Sequence, residues 1–582
     1  MLIMARVTVL IASAAIYLAF HALAVPYSSS DESRLPVGPS RCTQDFFANA
    51  LPAEATLEKV AIVRKGGSYG EGWKNVAYPV DPTGLPALCA VTIRVRSSSA
   101  SSYRFGLFLP DEWNSRFLVV GNGGFAGGIN WLDMAVGPRH GMASLSTDTG
   151  HKSVPTDTTW ARHQPEKKTD WGWRAIHGST VLGKSLVQAY YAHQPLSYSY
   201  YSGCSTGGRQ GLKELQRFPD SFDGALIGAP AWWTSHLNNY VTQVGLYNLP
   251  VTDPKHLSPA DIALLAAEVT RQCDAADGVR DGIVSSPDRC NPNLAVLLCA
   301  DAGSTHKSAR LFNKKTRCLT HEQLRTAQNV YSDWTTTESP SSSGHHEQRR
   351  LLYPGQTLSS EREWYILLSG MEPTPYGVGY ARDFLFDNED SPPWDWRKSF
   401  NESVVEYAEA HDPGDATADD YAALRGVRER GGKVVLYHGL ADGLVPGKGT
   451  GLYWNRTVEA LGGDGGVEDF MRLFYVPGMN HCFGTSVDAP WNFGAAFQAA
   501  VMGSETWSVP GFENAEHDAL IALVDWVEEG KPIESIIATT WNEPVNPKSG
   551  VRRQRPICAW PRRALWDGRG DINDAASWSC SN

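Results

Sequence analysis

A glycine-rich turn at 202–208 constrains this chain more than any other segment of its sequence. A strand-like run, 196–201, precedes the turn, and a helix-like run, 209–218, follows it. The spacing Gly203-x-Ser205-x-Gly207 in a strand-to-helix turn is typical of a nucleophile elbow, whose sharp bend forces strained backbone angles on the serine. The alternative is a glycine-rich turn with an incidental serine, so residues elsewhere in the chain must decide between the two.

Two backbone donors are expected beside Ser205. The Thr206 N–H would lie at the start of the following helix, where unpaired amides and the helix dipole favour a developing negative charge. A second glycine cluster, 121–128, directly follows a strand-like run, and Gly123 or Gly124 would supply the other donor of an oxyanion hole. The alternative is a flexible loop. A nucleotide site is disfavoured, because neither a P-loop lysine nor a dinucleotide-binding spacing accompanies the glycines.

Strand-like and helix-like runs alternate around the elbow, which predicts a mostly parallel sheet with helices on both faces. The alternation stops after residue 231 and resumes near 433, and the stretch between offers helices and loops. We therefore expect the α/β class, an α/β-hydrolase fold with a large inserted lid domain above the carboxyl ends of the strands. The expected divisions are a signal peptide at 1–24, a first catalytic part at 25–231, the lid at 232–426 and a second catalytic part at 427–582.

Two later residues are placed to act with Ser205. Asp442 follows the buried strand-like run 433–437, and His481 lies in a loop beyond the run 472–476. A carboxylate at such a position can accept from a histidine Nδ1–H and hold its tautomer. The order serine, aspartate, histidine is that of the α/β-hydrolases, with each residue beyond a predicted strand. His438 is expected to be structural.

The amino terminus predicts secretion. It carries one basic residue, Arg6, then an apolar run at 7–20 and the small-residue sequence Ala22-Leu-Ala24, which is typical of a cleavable signal. A signal anchor is the alternative, but the apolar run is shorter than a membrane span requires. We expect an extracellular protein with no membrane association after cleavage. The net charge of −11, without a basic block, argues against a nucleic acid partner.

Ten cysteines in a secreted chain predict five disulfides. Spacing suggests four neighbouring pairs: Cys42 with Cys89, Cys273 with Cys290, Cys299 with Cys318 and Cys558 with Cys580. Cys204 and Cys482 remain, and each adjoins a catalytic candidate. Two glycosylation sequons begin at Asn401 and Asn455.

A cluster of aspartates at 273–283 suggests a cation site in the lid. Its ligands would be the carboxylates of Asp274, Asp277 and Asp281 and the carbonyls of Val279 and Ile283. Hard oxygen donors of this kind suit Ca²⁺ in an extracellular protein. The spacing is not that of an EF-hand, and a cluster of Asx turns is the alternative.

Together these motifs resemble the fungal and bacterial tannase and feruloyl esterase family. The resemblance rests on Gly203-Cys204-Ser205-Thr206-Gly207-Gly208-Arg209, Ala441-Asp442 and Asn480-His481-Cys482, and it spans nearly the whole mature chain. It implies a triad of Ser205, Asp442 and His481, with Cys204 and Cys482 disulfide-bonded beneath it. It also implies a structural calcium ion on the aspartate cluster of the lid.

Two segments favour one branch of that family. Ser146-Thr-Asp-Thr-Gly-His151 and Gly228-Ala-Pro-Ala-Trp-Trp233 are more similar to the type B feruloyl esterases than to the tannases. The resemblance therefore implies a secreted serine esterase that hydrolyses hydroxycinnamate (feruloyl) esters of plant cell-wall polysaccharides such as xylan through an acyl-enzyme. The alternative within the family is a tannase that hydrolyses gallate esters.

Two hypotheses from other classes remain open at this stage. A carbohydrate-binding or adhesion protein could use a tryptophan-rich lid with a degenerate elbow, although an intact serine, aspartate and histidine argue against it. A metal-dependent hydrolase could use the aspartate cluster directly. In that case chelation would abolish turnover at once, whereas a structural calcium ion would only stabilise the lid.

Overall fold

The central feature of the fold is a large mixed β-sheet. The computed structural model describes residues 41–299, 317–336, 349–388, 394–462 and 466–582, so the predicted signal peptide lies outside the described residues. The strands are β1 Ala55–Val63, β2 Leu88–Arg96, β3 Ser102–Pro110, β4 Arg116–Val120, β5 Ala143–Thr147, β6 Tyr198–Cys204, β7 Gly224–Gly228, β8 Trp334–Thr335, β9 Leu351–Tyr353, β10 Lys433–Gly439, β11 Met471–Val476, β12 Ser535–Glu543, β13 Asn546–Cys558, β14 Arg563–Trp566 and β15 Trp578–Ser581.

Nine of the described strands form the main sheet, in the order β1-β2-β3-β5-β4-β6-β7-β10-β11. The first three strands pair antiparallel, and β3 pairs antiparallel with β5. From β5 to β11 every pairing is parallel. The carboxyl ends of β6, β10 and β11 therefore meet at one edge of the sheet, and the loops after them carry Ser205, Asp442 and His481.

Helices cover both faces of the sheet. The α-helices are Gln44–Ala50, Trp131–Met134, Val136–Arg139, Pro165–Thr169, Ala175–Tyr190, Thr206–Arg217, Thr234–Tyr247, Pro259–Cys273, His321–Tyr331, Tyr365–Leu368, Pro375–Gly379, Trp396–Ser399, Glu402–His411, Leu424–Glu429, Gly447–Leu461, Gln498–Met502 and Ala519–Glu529. Successive residues of a strand point to opposite faces. In β4, Val119 accordingly packs in one core cluster with Leu212, and Leu118 packs in the other with Leu523. This architecture confirms the predicted α/β-hydrolase fold.

The segment between β7 and β10, residues 229–432, contributes no strand to the main sheet in its described part. Hereafter it is called the inserted segment. It contains helices and a short antiparallel pair, β8 with β9, which the sequence analysis did not anticipate. Contacts group the described residues into one compact unit, so the described part of the inserted segment packs against the sheet and its helices. The division at 232–426 into a separate lid domain stays a prediction.

The carboxyl terminus holds two hairpins that the sequence analysis did not predict, β12 with β13 and β14 with β15. They attach to the edge of the main sheet where Trp560 N–H donates to the Leu473 carbonyl at 2.7 Å. The helix Ala175–Tyr190 packs on the sheet through Leu186 and Val187, which are buried, whereas Val181 in the same helix is 55% exposed.

All five predicted disulfides are present. The pairs are Cys42–Cys89, Cys204–Cys482, Cys273–Cys290, Cys299–Cys318 and Cys558–Cys580. Cys204 and Cys482 are 278 residues apart in sequence, and their Cα atoms lie 6.0 Å apart. None of the described helices combines the length and the apolar character that a membrane span requires.

Candidate active site

Ser205 lies at the sharp turn between β6 and the helix Thr206–Arg217. Its backbone angles are φ 62° and ψ −124°, a strained conformation for a residue with a side chain. Glycine is required on both sides of it: a Cβ atom on Gly203 would lie 2.7 Å from the Gly207 carbonyl carbon, and one on Gly207 would lie 3.0 Å from the Asn122 oxygen. The predicted nucleophile elbow is therefore present, and Ser205 is half-buried amid buried neighbours.

Asp442 and His481 meet beyond the ends of β10 and β11. The His481 Nδ1 lies 2.6 Å from Asp442 Oδ2, a short charge-assisted hydrogen bond. The other carboxylate oxygen, Oδ1, accepts the backbone N–H groups of Leu444 and Val445 at 2.9 and 2.8 Å. His438 Nε2 is 3.1 Å from Oδ2, so this histidine contacts the aspartate from inside the core. The carboxylate is thus fixed from three directions.

The charges of Asp442 and His481 shift the pKa values of both residues. Burial alone would raise the pKa of Asp442, but the neighbouring His481 and His438 outweigh it and hold this pKa well below its usual range. Burial alone would lower the pKa of His481, but the charge and hydrogen bond of Asp442, with the charge of Glu363, leave the pKa of His481 above its ordinary value. A basic imidazole oriented by an ionised carboxylate is what a general base needs.

Ser205 and His481 line the same pocket, a space of about 160 Å³. The His481 Nε2 is buried and has no hydrogen-bond partner among the described residues, so it is free to accept a proton from a hydroxyl in the pocket. Catalytic hydrogen bonds are often long in unliganded enzymes and shorten in the substrate complex. The structure therefore brings all three members of the predicted triad to one place.

The disulfide between Cys204 and Cys482 joins the residue before Ser205 to the residue after His481. Cys482 has a positive φ of 64°, so its loop is held in an unusual conformation. The fully buried Gln498 adds a second restraint, because its Nε2 donates to the Cys482 carbonyl at 3.3 Å. Both restraints act on the loop that carries the histidine.

The predicted oxyanion donors also line the pocket. Thr206 is the first residue of its helix, so its N–H has no acceptor within that helix. The N–H of Gly123, however, donates to the hydroxyl of Tyr78 at 3.0 Å. The N–H of Gly124 has no hydrogen-bond partner among the described residues. Of the two glycines left open by the sequence, Gly124 is therefore the better placed donor.

The pocket walls are mainly apolar and aromatic. The inserted segment supplies Leu237, Val241 and Tyr376 to them, so this segment forms part of the pocket that contains Ser205. The remaining apolar walls include Phe125, Trp171, Leu444, Phe483 and Phe497. Arg209 lies over the Trp171 ring at 4.3 Å and is fully buried. A pocket of this size and lining suits a small, flat, largely apolar group beside the serine.

Sequence reasoning missed Glu363, which lies in the 3-10 turn Glu361–Glu363 of the inserted segment. Its buried carboxylate accepts the backbone N–H of Gly443 at 2.9 Å and that of His481 at 3.1 Å. One side chain thus ties together the loops that carry the acid and the base. Burial, with the charge of Asp442, raises the pKa of Glu363 to about 7. No sequence motif marks this residue, because its partners are 80 and 118 positions away.

A comparison with family models matches residues 89–581 to the family described as tannase and feruloyl esterase. The chain belongs to this family. A probable feruloyl esterase B-2 from Neosartorya fischeri is 32% identical over 496 residues, which cover 85% of this chain and 86% of that protein. The crystal structure of an esterase from Aspergillus oryzae matches with a TM-score of 0.80 at 29% identity and covers 94% of this chain and 100% of that one. Feruloyl esterase B from the same organism matches with a TM-score of 0.79 at 28% identity, over 93% and 100%.

As a member of the tannase and feruloyl esterase family, the protein is a carboxylic ester hydrolase. Segments 146–151 and 228–233, which are more similar to the type B feruloyl esterases, both contact parts of the candidate site. In 146–151, the Nε2 of the buried His151 lies 3.0 Å from the Phe125 carbonyl, and its ring stacks on Trp160. In 228–233, the Gly228 carbonyl accepts the Ser205 N–H at 3.0 Å. These contacts hold the glycine loop and the elbow.

The predicted calcium loop folds as a series of tight turns. Asp274 Oδ1 accepts the N–H groups of Asp281 and Gly282, and Asp277 Oδ1 accepts that of Val279. No group of three or more His, Cys, Asp or Glu side chains is arranged to hold a metal ion in the described part of the chain. Asp281 Oδ2 instead pairs with Arg555 at 2.6 Å. The calcium site stays a prediction.

One observation in this loop does fit a cation. Asp277 Oδ2 is buried and makes no hydrogen bond of normal geometry among the described residues, and the Ser285 side chain is a potential donor beside it. Burial raises the pKa of this carboxyl, and the charge of Asp281 contributes to the shift. A bound Ca²⁺ would satisfy the unpaired oxygen, and carboxylate and carbonyl oxygens are its preferred donors. The donor chemistry of the loop therefore suits the ion that the family resemblance implies.

Both sequon asparagines are exposed. Asn401 caps the helix Glu402–His411, and its Oδ1 accepts from the Ser403 hydroxyl at 2.6 Å. Asn455 lies within the helix Gly447–Leu461, and the hydroxyl of its sequon residue Thr457 donates to the Tyr453 carbonyl. Exposure makes both side chains accessible, and their glycosylation stays a prediction.

Proposed function

We propose that this protein is a secreted serine esterase that hydrolyses hydroxycinnamate (feruloyl) esters of plant cell-wall polysaccharides. The observation that carries the proposal is the juxtaposition of a strained Ser205 with the His481–Asp442 pair in one small aromatic pocket. Relatives named feruloyl esterase, over most of the chain, support the substrate class.

The proposed reaction begins when His481 Nε2 takes the proton of the Ser205 hydroxyl as Oγ attacks the ester carbonyl. Asp442 stabilises the imidazolium through the 2.6 Å bond to Nδ1. The N–H groups of Thr206 and Gly124 would stabilise the developing oxyanion. The imidazolium then protonates the leaving alcohol, and water, deprotonated by the same imidazole, releases the acid from the acyl-enzyme.

The pocket lining supports a hydroxycinnamoyl group over a galloyl group. A hydroxycinnamoyl group is a flat ring with an apolar linker, and aromatic walls such as Phe125, Trp171 and Tyr376 match it. A galloyl ring carries three hydroxyl groups, which need more hydrogen-bond partners than an apolar wall offers.

Calcium, secretion and glycosylation belong to the same proposal. Asp274, Asp277 and Asp281, with the carbonyls of Val279 and Ile283, would hold one structural Ca²⁺ in the inserted segment. The ion would stabilise this segment, and no step of the reaction uses it. Five disulfides support an oxidising compartment, as expected for an extracellular protein that begins with a cleaved signal at 1–24.

The experiment that tests the function is a comparison of kcat/KM for methyl ferulate, methyl p-coumarate, methyl caffeate and methyl gallate. We expect the three hydroxycinnamates to be preferred, and release of ferulate from arabinoxylan to follow. The Ser205→Ala variant is the control for background hydrolysis. A higher kcat/KM for methyl gallate than for every hydroxycinnamate would reject the proposal in favour of the tannase alternative.

A further inference from the structure

A second cavity, of about 730 Å³, lies between the inserted segment and the carboxyl-terminal hairpins. It shares no described lining residue with the pocket that contains Ser205. The inserted segment provides Leu294, Gln356 and Thr357 to its walls, and the region after β11 provides Arg555 and Trp560. The volume is in the range that holds small-molecule ligands. The proposed reaction uses none of these residues.

Several buried polar atoms of the lining residues have no hydrogen-bond partner among the described residues. They include two acceptors, Gln356 Oε1 and Thr357 Oγ1, and two donors, Arg555 Nε and Nη1. The three residues are only 1%, 7% and 4% exposed. An unpaired buried polar group destabilises a fold, so several of them in the wall of one cavity call for partners. A polar ligand or ordered water that enters the cavity could supply such partners.

The charges of the cavity indicate that the ligand is neutral. Each lysine or arginine in the described lining is already paired with a carboxylate, so the cavity offers an anion no unpaired cation. The pairs are Arg555 with Asp281, Arg563 with Asp288, Arg562 with Glu534 and Lys448 with Asp333. The remaining unpaired atoms are both donors and acceptors. Hydroxyl groups can serve as partners to both kinds.

The rest of the lining is apolar and flat. Trp560 and Tyr475 lie edge to face with ring centroids 5.6 Å apart, and both are half-buried. Pro287, Pro292 and Pro477 add rigid apolar surface. Sugars combine hydroxyl groups with apolar C–H faces, and aromatic rings pack well against such faces. This combination of surfaces therefore matches a sugar better than a purely polar or purely apolar ligand.

We infer that this cavity binds a short neutral oligosaccharide, at a site separate from the pocket around Ser205. The choice of a plant cell-wall sugar rests on the proposed function, in which the ester is attached to a polysaccharide. Binding of the polysaccharide at a second site on the same molecule raises the effective concentration of its esters near Ser205. A small methyl ester cannot reach both sites, so the second site does not increase its rate of hydrolysis.

The test is calorimetric titration of the full chain with unesterified xylo-oligosaccharides and arabinoxylo-oligosaccharides. We expect saturable binding that persists after a fluorophosphonate has blocked Ser205. Thr357→Val removes an unpaired hydroxyl without removing a hydrogen bond of the described fold, and we expect it to weaken binding about fivefold, the effect of losing one hydrogen bond to the ligand. The matched control is Thr540→Val, because Thr540 Oγ1 is also buried and unpaired but lines neither cavity.

A second variant changes an exposed residue, so its result does not depend on whether the core tolerates a substitution. Ala295 is exposed and lines the cavity, so Ala295→Trp should narrow its mouth and abolish oligosaccharide binding. Both variants should keep the wild-type kcat/KM for methyl ferulate and release less ferulate from arabinoxylan. The inference is overturned if the wild-type chain does not bind, if fluorophosphonate abolishes binding, or if Ala295→Trp binds as well as wild type. Failure of the methyl ester assay with intact oligosaccharide binding would reject the proposed function and leave this site standing.

Discussion

Asp442 is the most heavily engaged carboxylate of the candidate site. It accepts from His481, from two backbone N–H groups and, at 3.1 Å, contacts His438. Because its pKa lies well below the usual range, Asp442 remains ionised wherever the esterase is active. His481 must then keep its Nδ1 protonated and present an unprotonated Nε2 to the serine. His438 does not compete for that role, since its ring is fully buried in the core.

Replacement of Ser205 by alanine should lower kcat by about four to six orders of magnitude while the fold remains, because the nucleophile and its base act as a unit. The variant should also fail to react with a serine-directed fluorophosphonate, which intact-protein mass spectrometry detects. Circular dichroism and the thermal midpoint provide the control for folding. Turnover close to that of the wild type would mean that another residue is the nucleophile.

Replacement of Glu363 by glutamine should move the acid limb of the kcat/KM profile to lower pH. The negative charge that Glu363 acquires as pH rises through about 7 contributes to the raised pKa of His481, and the amide removes that charge while keeping an acceptor for the N–H groups of His481 and Gly443. The base then loses its proton at lower pH. The measurement is kcat/KM for methyl ferulate from pH 4 to pH 9, and an unchanged acid limb would show that Glu363 has no electrostatic influence on the base.

The same substitution has a predictable effect on stability. A pKa raised to about 7 in the folded chain means that Glu363 binds its proton more tightly there than in the unfolded chain, whose pKa is about 4.3. This contribution to stability is complete below pH 4.3 and is lost as pH rises through 7. Glu363→Gln should therefore raise the thermal midpoint relative to wild type more at pH 8 than at pH 5. Glu361→Gln, in the same turn but without contact to His481, is the comparison variant for the kcat/KM profile only, because burial raises the pKa of Glu361 as well.

The positions of the three candidate catalytic residues could be predicted from the sequence because each follows a recognisable strand or turn. Ser205 depends on a local pattern of glycines, and Asp442 and His481 depend on the order of strands. Glu363 could not be predicted in this way. Its role exists only because the inserted segment folds back onto two loops that are distant in the chain. The preference for Gly124 over Gly123 as the proposed donor likewise needed the structure, in which the Gly123 N–H donates to the Tyr78 hydroxyl.

At the scale of single elements, the calcium prediction can be tested by substitutions in the loop 274–283. Replacement of Asp277 by alanine should lower the thermal midpoint in calcium by several degrees and leave kcat almost unchanged, because an ion that binds only the folded chain contributes about 2.7 kcal/mol at 100 times its Kd. EDTA should lower the midpoint of the wild type to that of the variant. Differential scanning calorimetry with and without EDTA measures both effects.

Asp571→Ala is the matched control for that loop. Asp571 Oδ1 accepts the N–H of Asn573 two residues ahead, as Asp277 Oδ1 accepts that of Val279, so both variants lose one backbone turn hydrogen bond, and Asp571→Ala also loses a bond from Asn573 Nδ2. Only Asp277 also holds a buried unpaired oxygen. If the two variants have equal midpoints in calcium and in EDTA, the loop is a cluster of Asx turns. If Asp277→Ala instead keeps its midpoint and loses all activity, the site is catalytic.

The parallel strands of the main sheet could be recognised from the sequence, whereas the strands of the carboxyl-terminal hairpins could not. Buried parallel strands such as β4 and β10 are nearly continuous apolar runs, which are easily recognised. In β13 the prolines Pro547 and Pro556 argue against a strand, because proline cannot donate to a ladder. The hairpin exists because β12 supplies a β-branched run as partner, with Ile537 opposite Pro556. Tertiary pairing overrides local preference here.

At the scale of the whole molecule, the site is assembled from distant parts of the chain. Ser205 precedes the inserted segment, and Asp442 and His481 follow it, while the inserted segment itself supplies pocket walls and Glu363. Parallel strand order brings the three catalytic loops to one edge of the sheet. The sheet fixes which loops meet, but it does not fix their mutual position to a fraction of an ångström. Covalent and hydrogen-bonded restraints between the loops must do so.

The Cys204–Cys482 disulfide is the strongest of these restraints, and we expect the double change Cys204→Ala with Cys482→Ala to lower kcat on the order of a hundredfold. A displacement of about 1 Å at a catalytic group has an effect of this size, and the disulfide is bonded next to both the nucleophile and the base. Closure of a loop of 278 residues also stabilises the fold by about 5.6 kcal/mol in the chain-entropy model.

The double change Cys42→Ala with Cys89→Ala separates these two effects. It opens a loop of 47 residues, worth about 4 kcal/mol in the same model, at a strand remote from the triad. Both double variants should therefore lose stability to a similar degree, as measured by denaturant unfolding, but only the first should lose kcat at temperatures where both are folded. Equal kcat values for the two would mean that Cys204–Cys482 serves stability alone. Non-reducing peptide maps of active wild type must recover the two flanking peptides as one linked species, because a free thiol at either position would remove the restraint from which the loss of kcat is expected.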